Sequence, residues 1–293
     1  MFKDKVFLSK IALFAATIIW GYAFIVVKNT VDIFQPLLLI ALRFTIAFIL
    51  LSAIFFGKLK KLDKKTFISG VVIGVMLFLA YSAQTFGAAD TTPGKSAFLT
   101  SVYCVIVPFL FWGIKKKNPG IYSFVAAFMC VLGTALVSLR GDFKMGVGDF
   151  YTLLCSFFFA CHIVSIAILG NDKDPVIITI LQFGVAAVLG WCTSLPMESF
   201  PLYAPLSSWM GIIFLGIFPT MIGFLLQTVG QKYTSPSASA LILSLESVFG
   251  ILFSIIFGYD TINLRLLCGF ILIFAAILVS ETKLSFLNRK KQL

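Results

Sequence analysis

Ten stretches of the chain are apolar for long enough to cross a lipid bilayer, and the breaks between them are too short to form a separate soluble domain. They fall at approximately 8–28, 36–57, 67–87, 94–114, 120–138, 149–170, 175–196, 208–230, 236–257 and 265–282. A helix needs about 20 apolar residues to cover the hydrocarbon core. No water is present there to satisfy backbone polar groups, so a helix is the form such a stretch adopts. The breaks are turn-like or charged, as at Asp32 to Pro36, Lys58 to Lys65, Asp90 to Gly94, Asn171 to Pro175 and Lys232 to Pro236. The shortest of them imply antiparallel neighbours. Composition agrees: 60% of the residues are hydrophobic, 12% are charged and 33 are Phe, where a soluble domain carries about 25% charged residues. A water-soluble fold of this size lacks the polar surface to cover such a core.

The net charge of +11 does not point to nucleic acid, because the basic residues sit in short clusters between apolar stretches. Such clusters anchor a protein at the cytoplasmic membrane surface. With the N-terminus inside, 17 Lys and Arg fall on the cytoplasmic side and 5 outside, with Arg43 inside a helix. The predicted product is a multi-pass protein of the plasma (inner) membrane, both termini cytoplasmic. The six cysteines lie in apolar stretches with no CxxC and only His162 to join them. They read as small buried hydrophobes rather than a metal site or disulfide framework, and no cofactor is called for.

Sliding the chain on itself reveals an internal repeat. At an offset of 143, Gln84, Thr85, Gly87, Thr91, Pro93, Ser96, Ala97 and Ser101 recur as Gln227, Thr228, Gly230, Thr234, Pro236, Ser239, Ala240 and Ser244. That is eight identities in 18 positions, where composition gives about one. At an offset of 139, Pro36, Leu42, Phe44, Ala47 and Leu50 recur as Pro175, Leu181, Phe183, Ala186 and Leu189. Near the ends of the halves, Leu136-Val137-Ser138 recurs as Leu278-Val279-Ser280. Helices 1–5 therefore correspond to helices 6–10, dividing the chain into 1–145 and 146–293. Five crossings per half force the second half to enter from the opposite face. The predicted fold is all-α: two inverted five-helix repeats around a central cavity, a design common in secondary transporters.

Thr92-Pro93 and Ser235-Pro236 read as an N-cap followed by Pro at the first helical position. The small residues that follow, Ala97/Ser101 and Ala240/Ser244, let helices approach closely in lipid. Helices 4 and 9 are expected at the centre, crossing near the middle.

These residues resemble the drug/metabolite transporter superfamily, specifically its ten-helix EamA type, over nearly the whole chain. The likeness rests on Ile19-Trp20-Gly21 with Phe24 and Lys28, Arg43-Phe44, and Leu226-Gln227-Thr228 with Gln231-Lys232-Tyr233-Thr234-Ser235-Pro236. Ser244-Leu245-Glu246-Ser247-Val248 is similar to the family's Leu-Glu-Pro-Val stretch, with Ser247 in place of the usual Pro. The resemblance implies a metabolite transporter, often an exporter of amino acids or related compounds, with a cavity lined by helices 1, 3, 4, 6, 8 and 9. The substrate is not implied by a fold-level likeness.

Charged groups within the hydrocarbon region are costly and therefore functional candidates. Glu246 lies ten residues into helix 9, roughly 15 Å from the cytoplasmic end at about 1.5 Å per residue. It is a candidate to bind a substrate ammonium group or carry a coupling proton; an acid holding a helix–helix network is the alternative. Its repeat counterpart is Tyr103. Arg43, whose counterpart is Gln182, could attract a carboxylate or cement helices by snorkelling. His162, the single histidine, could relay protons or simply be hydrogen-bonded. Trp20, Tyr81, Gln84, Tyr103 and Gln227 suit a pocket for amphipathic solutes. Pro108 and Pro219 are candidate gating kinks, although Pro is tolerated in membrane helices.

The expected activity is proton-coupled export of a small metabolite, amino acid or drug by alternating access. No P-loop is present to make ATP the direct energy source. A passive facilitator of the same fold is the alternative; an intramembrane enzyme is disfavoured, as no GxSxG-like elbow accompanies His162. A homodimer is compatible with the sequence but not required by it.

Overall fold

The computed structural model describes residues 2–60, 62–116, 118–138, 145–261 and 263–282, without the side chains of residues 2–4, 138 and 280–282. Arg140, Lys144 and the basic tail from Lys283 onward, which entered the orientation count, lie outside the described residues, as do Lys61 and Lys117.

The described chain is built of helices: α1 (Phe2–Val31), α2 (Pro36–Ile54), α3 (Lys64–Asp90), α4 (Pro93–Lys115), α5 (Ile121–Ser138), α6 (Val147–Leu169), α7 (Pro175–Met197), α8 (Leu206–Gln231), α9 (Pro236–Ile256) and α10 (Leu264–Thr282), with one short turn of helix at Phe56–Leu59. Eight are long and apolar enough to cross a membrane; the apolar parts of the other two are shorter, Ile121–Val137 in α5 and Leu264–Val279 in α10. Each of these reaches roughly 24–26 Å, a little under the ~30 Å hydrocarbon thickness. The protein is a multi-pass membrane protein whose solvent is lipid.

Helix starts are written locally. Pro36, Pro93, Pro175 and Pro236 each occupy the first turn, where the missing N–H costs nothing. Thr92 and Ser235 accept from the N–H groups of Lys95 (3.4 Å) and Ala238 (3.3 Å). Gln35 gives α2 no side-chain cap. The Glu198 carboxylate, arriving from the far end of α7, takes the N–H groups of Leu37 and Leu38 at 3.0 and 2.7 Å instead. An anion at a helix N-terminus is favoured by both orphan donors and dipole.

Asp174 caps α7 through the Val176 N–H at 2.8 Å and pairs with Lys58 at 2.7 Å. Burial pushes its carboxyl up, but the hydrogen bonds from Lys58 and Val176 outweigh this and hold it below the usual carboxylate range. A depressed pKa adds stability that is present above the unfolded value and lost as pH falls through the folded one. Asp174→Ala is therefore expected to lower unfolding stability at neutral pH by about 1 kcal/mol, mostly through the cap. The gap to the parent should close in acid, and thermal melts at the two pH values check it.

α2 packs along α7, α5 along α10, α3 along α6 and α1 along α8. α4 and α9 are each broken once, at Val102 and Leu245, positions 143 residues apart. The first half of α4 packs on the second half of α9, and the first half of α9 on the second half of α4. The expected crossing is present, and at it a Cβ on Gly250 would come within 2.3 Å of the Ala97 Cβ. The break in α4 precedes Pro108 by six residues, so Pro108 is not its cause. Cysteine burial needs a correction: Cys104, Cys130 and Cys155 are buried, Cys161 is half-buried, and Cys192 and Cys268 are exposed. Those two lie on helix faces turned away from the protein, where a weakly polar thiol tolerates lipid.

Candidate functional site

A cavity lies where α1, α3, α4, α6, α8 and α9 meet, with Arg43 of α2 as a further wall. Seven of the eight proposed solute-contacting residues line it: Trp20, Arg43, Tyr81, Gln84, Tyr103, Gln227 and Glu246. They come from six helices, and only the tertiary fold brings them together.

The irregular part of α8 positions two of them. Around Pro219, which cannot donate a backbone hydrogen bond, α8 widens into a π-helical segment, Gly216–Ile222. Thr220 Oγ1 donates back to the Leu215 carbonyl at 2.6 Å. The Pro219 carbonyl is taken by Trp20 Nε1 at 2.8 Å, and Thr220 Oγ1 receives Arg43 Nε at 2.9 Å. Pro219 thus shapes the segment that anchors both Trp20 and Arg43. Trp20→Phe leaves that carbonyl without its donor and is expected to destabilise the protein by about 1–3 kcal/mol. Thermal unfolding in detergent measures it.

Arg43 is buried, and its guanidinium lies over the Tyr81 ring at 4.6 Å. Glu246 is buried beside Tyr103, without a hydrogen bond of ordinary geometry to the buried Tyr103 hydroxyl. Among the described residues, neither Arg43 nor Glu246 has an ion-pair partner. Gln227 turns a buried side-chain carbonyl with no hydrogen-bond partner toward the same region. The remaining wall is apolar, with Phe24, Phe159 and Phe224 beside aliphatic side chains; Tyr81 packs against Phe159 and Phe224, and against Phe44 behind the wall, and Trp20 packs against Phe224. Together these groups offer a carboxyl group, a guanidinium, hydrogen-bonding groups and π faces in a small, largely apolar enclosure, the combination that holds a compact amphipathic solute.

His162 lies elsewhere. Fully buried on α6, it shares a 2.8 Å hydrogen bond between Nε2 and Gln182 Oε1 of α7, with its ring edge-on to Phe224. Pro108 does not line the cavity. Three aromatic wall residues, Phe24, Phe159 and Phe224, were not singled out for the pocket; with 33 Phe in the chain, composition offers no mark to separate them. Thr220 was equally hidden, because its role depends on Arg43 reaching it from α2.

Comparison with known proteins agrees with this architecture. The profile of the EamA-like transporter family matches residues 8–139 and again residues 146–282. A protein of Archaeoglobus fulgidus called an uncharacterized transporter is 29% identical over 265 residues, covering 90% of this chain and 82% of its own. The Bacillus subtilis uncharacterized transporter YyaM is 24% identical over 285 residues, covering 92% of each. A crystal structure only 16% identical in sequence shares the fold, with a TM-score of 0.71 over 94% of this chain and 98% of that one. The chain belongs to the EamA-like transporter family.

Proposed function

We propose that this membrane transporter is a secondary exporter of a small amphipathic solute bearing an ammonium group, such as an amino acid, related metabolite or cationic drug. One observation carries the reading: a cavity at the α4–α9 crossing contains a buried carboxylate, Glu246, with no ion-pair partner among the described residues. An unpaired acid within a membrane calls for a cation or a proton. In this reading Glu246 exchanges the two, and the aromatic wall supplies cation–π contact to the substrate. Arg43, already engaged by Thr220 and Tyr81, shapes the wall and attracts any carboxylate the solute carries. His162 supports the fold through Gln182.

The proposed mechanism is alternating access by two inverted five-helix repeats, 1–145 and 146–293, with α5 and α10 completing ten crossings and both termini in the cytoplasm. The twofold match of the family profile supports this division. The packing supports it too. Advancing each helix by five turns the α3–α6 pair into α8–α1 and returns α2–α7, α4–α9 and α5–α10 to themselves. The repeat-related pairs Gln84/Gln227 and Tyr103/Glu246 also line one cavity, as an axis through it requires.

Counterflow in proteoliposomes, with amino acids, nucleosides and cationic drugs as probes, tests the activity. Accumulation driven by an imposed pH gradient is expected; exchange indifferent to the gradient would indicate the facilitator instead. Reporter tags at 58–65 and on the C-terminal tail are expected on the same face.

A further inference from the structure

A second hollow opens next to the central cavity, between the end of α1, the α3–α4 hairpin, the start of α6 and the turn after α9. The two adjoin at consecutive residues of two helices. Val27 and Ala88 line the central cavity, Lys28 and Ala89 the outer pocket.

Most polar groups around this pocket are already matched. Asp149 receives the Thr91 hydroxyl at 2.6 Å and pairs with Lys95 Nζ at 3.4 Å. Asp260 receives the Thr92 hydroxyl at 2.7 Å and the Gly94 N–H at 3.0 Å, and the Tyr259 hydroxyl donates to Asn29 Oδ1. Two groups are left over, and they carry opposite charges. Lys28 Nζ rests on the carbonyls of Ala88 and Ala89 at 3.1 and 2.7 Å, in the last turn of α3. A helix C-terminus favours a cation there, and the two bonds use two of the three ammonium hydrogens. Asp90, the last residue of α3, is exposed. Both line the pocket, yet among the described residues neither has an ion-pair partner, the other included.

We infer that the outer pocket is a second solute site, for a zwitterion of the amino-acid type: its carboxylate takes the third hydrogen of Lys28 and its ammonium group meets Asp90. Hydrogen bonds between ionised partners are the strong ones, and a solute with one charge makes only one of the two. A zwitterion held here stands beside the central cavity, whose wall begins one residue further along α1 and α3. The proposed solute is thereby narrowed from any ammonium compound to one that also carries a carboxylate. The site rests on the transporter reading for its purpose, but it is tested by binding in protein that lacks the Glu246 carboxylate, so either can fail alone.

Thermal melts of the full chain in lipid-free detergent read that binding, because a ligand held only by the folded state raises the melting temperature. The probes are an equimolar mixture of neutral amino acids, the matching amines without the carboxylate, and the matching N-acetyl acids without the ammonium group. In the Glu246→Gln protein the amino-acid mixture is expected to raise the melting temperature. The amines and the N-acetyl acids should each need about tenfold more for the same rise, as loss of one charge-assisted bond implies. Adding Asp90→Asn or Lys28→Gln should weaken the response to the mixture by about the same factor. No rise with the mixture overturns the site, as does a rise that both added substitutions leave unchanged; counterflow still decides the Glu246 reading in either case. Phosphatidylethanolamine added to the micelles is the last arm. A rise from that lipid with none from the amino acids assigns the two charges to a headgroup and overturns the solute site. Should Lys28→Gln fail to fold once the α3 carbonyls lose their donor, Asp90→Asn and the singly charged probes still decide the matter.

Discussion

Glu246→Gln is expected to cut pH-gradient-driven transport by roughly tenfold or more, a loss of about 1.4 kcal/mol of driving interaction. The substitution keeps the size and hydrogen-bonding capacity of the side chain and removes only its charge and its titratable proton. Beside Tyr103, in a cavity lined by no other acid among the described residues, no neighbouring carboxylate is placed to take over the exchange. Glu246→Asp, which keeps the proton but draws it back by one methylene, should transport more slowly while retaining its dependence on the gradient. That split separates the proposed role from a structural one, since a merely structural acid would be rescued by Gln at least as well as by Asp. Uptake measured with both variants over a range of imposed gradients reads the difference. If Glu246→Gln matches the parent in rate and gradient response, proton exchange at this carboxylate is not how the protein works.

Gly250→Leu is expected to be the most damaging single change to the fold. The nearest atom to an added Cβ is the Ala97 Cβ at 2.3 Å, on the first half of α4. That contact joins the two broken helices whose crossing supports the cavity. Even Gly250→Ala forces α4 and α9 apart, and overpacking of this kind costs about 1–3 kcal/mol. Leucine adds three more carbon atoms to the same gap. Gly57→Ala, where an added Cβ meets nothing within 4 Å, is the matched control and should leave stability unchanged or slightly raised. Detergent-solubilised melting curves of the three variants check the ordering; a Gly250→Leu protein as stable as the control would mean the crossing is looser than its geometry.

Much of the framework is visible in the amino-acid order. Pro36, Pro93, Pro175 and Pro236 mark helix starts because a ring without an N–H costs no hydrogen bond in the first turn of a helix. The repeat selected Ala97 as a close-packing residue, and it is one side of the α4–α9 contact. Its partner Gly250 was not selected, because the repeat pairs Ala97 with Ala240 and says nothing of which residue lies across the crossing. Glu246 and Arg43 stood out as charges in apolar surroundings. Proline marks the irregular segment of α8 at Pro219, yet α4 breaks at Val102 rather than Pro108, a site that no residue preference marks.

What the order of residues determined by itself is local or self-similar: the length of each apolar stretch, where it starts and stops, and the recurrence of one half in the other. Which face of each helix turns inward was left to the tertiary structure. In water a buried face is apolar and an exposed face polar, but in lipid both are apolar. Ile40 and Ile49 of α2 are chemically identical, yet one is 0% and the other 57% exposed. Packing in a bilayer is decided by shape and by a few polar contacts. The pairing of Trp20 with Pro219, Arg43 with Thr220, His162 with Gln182 and Asp260 with Gly94 therefore exists only once the helices have met.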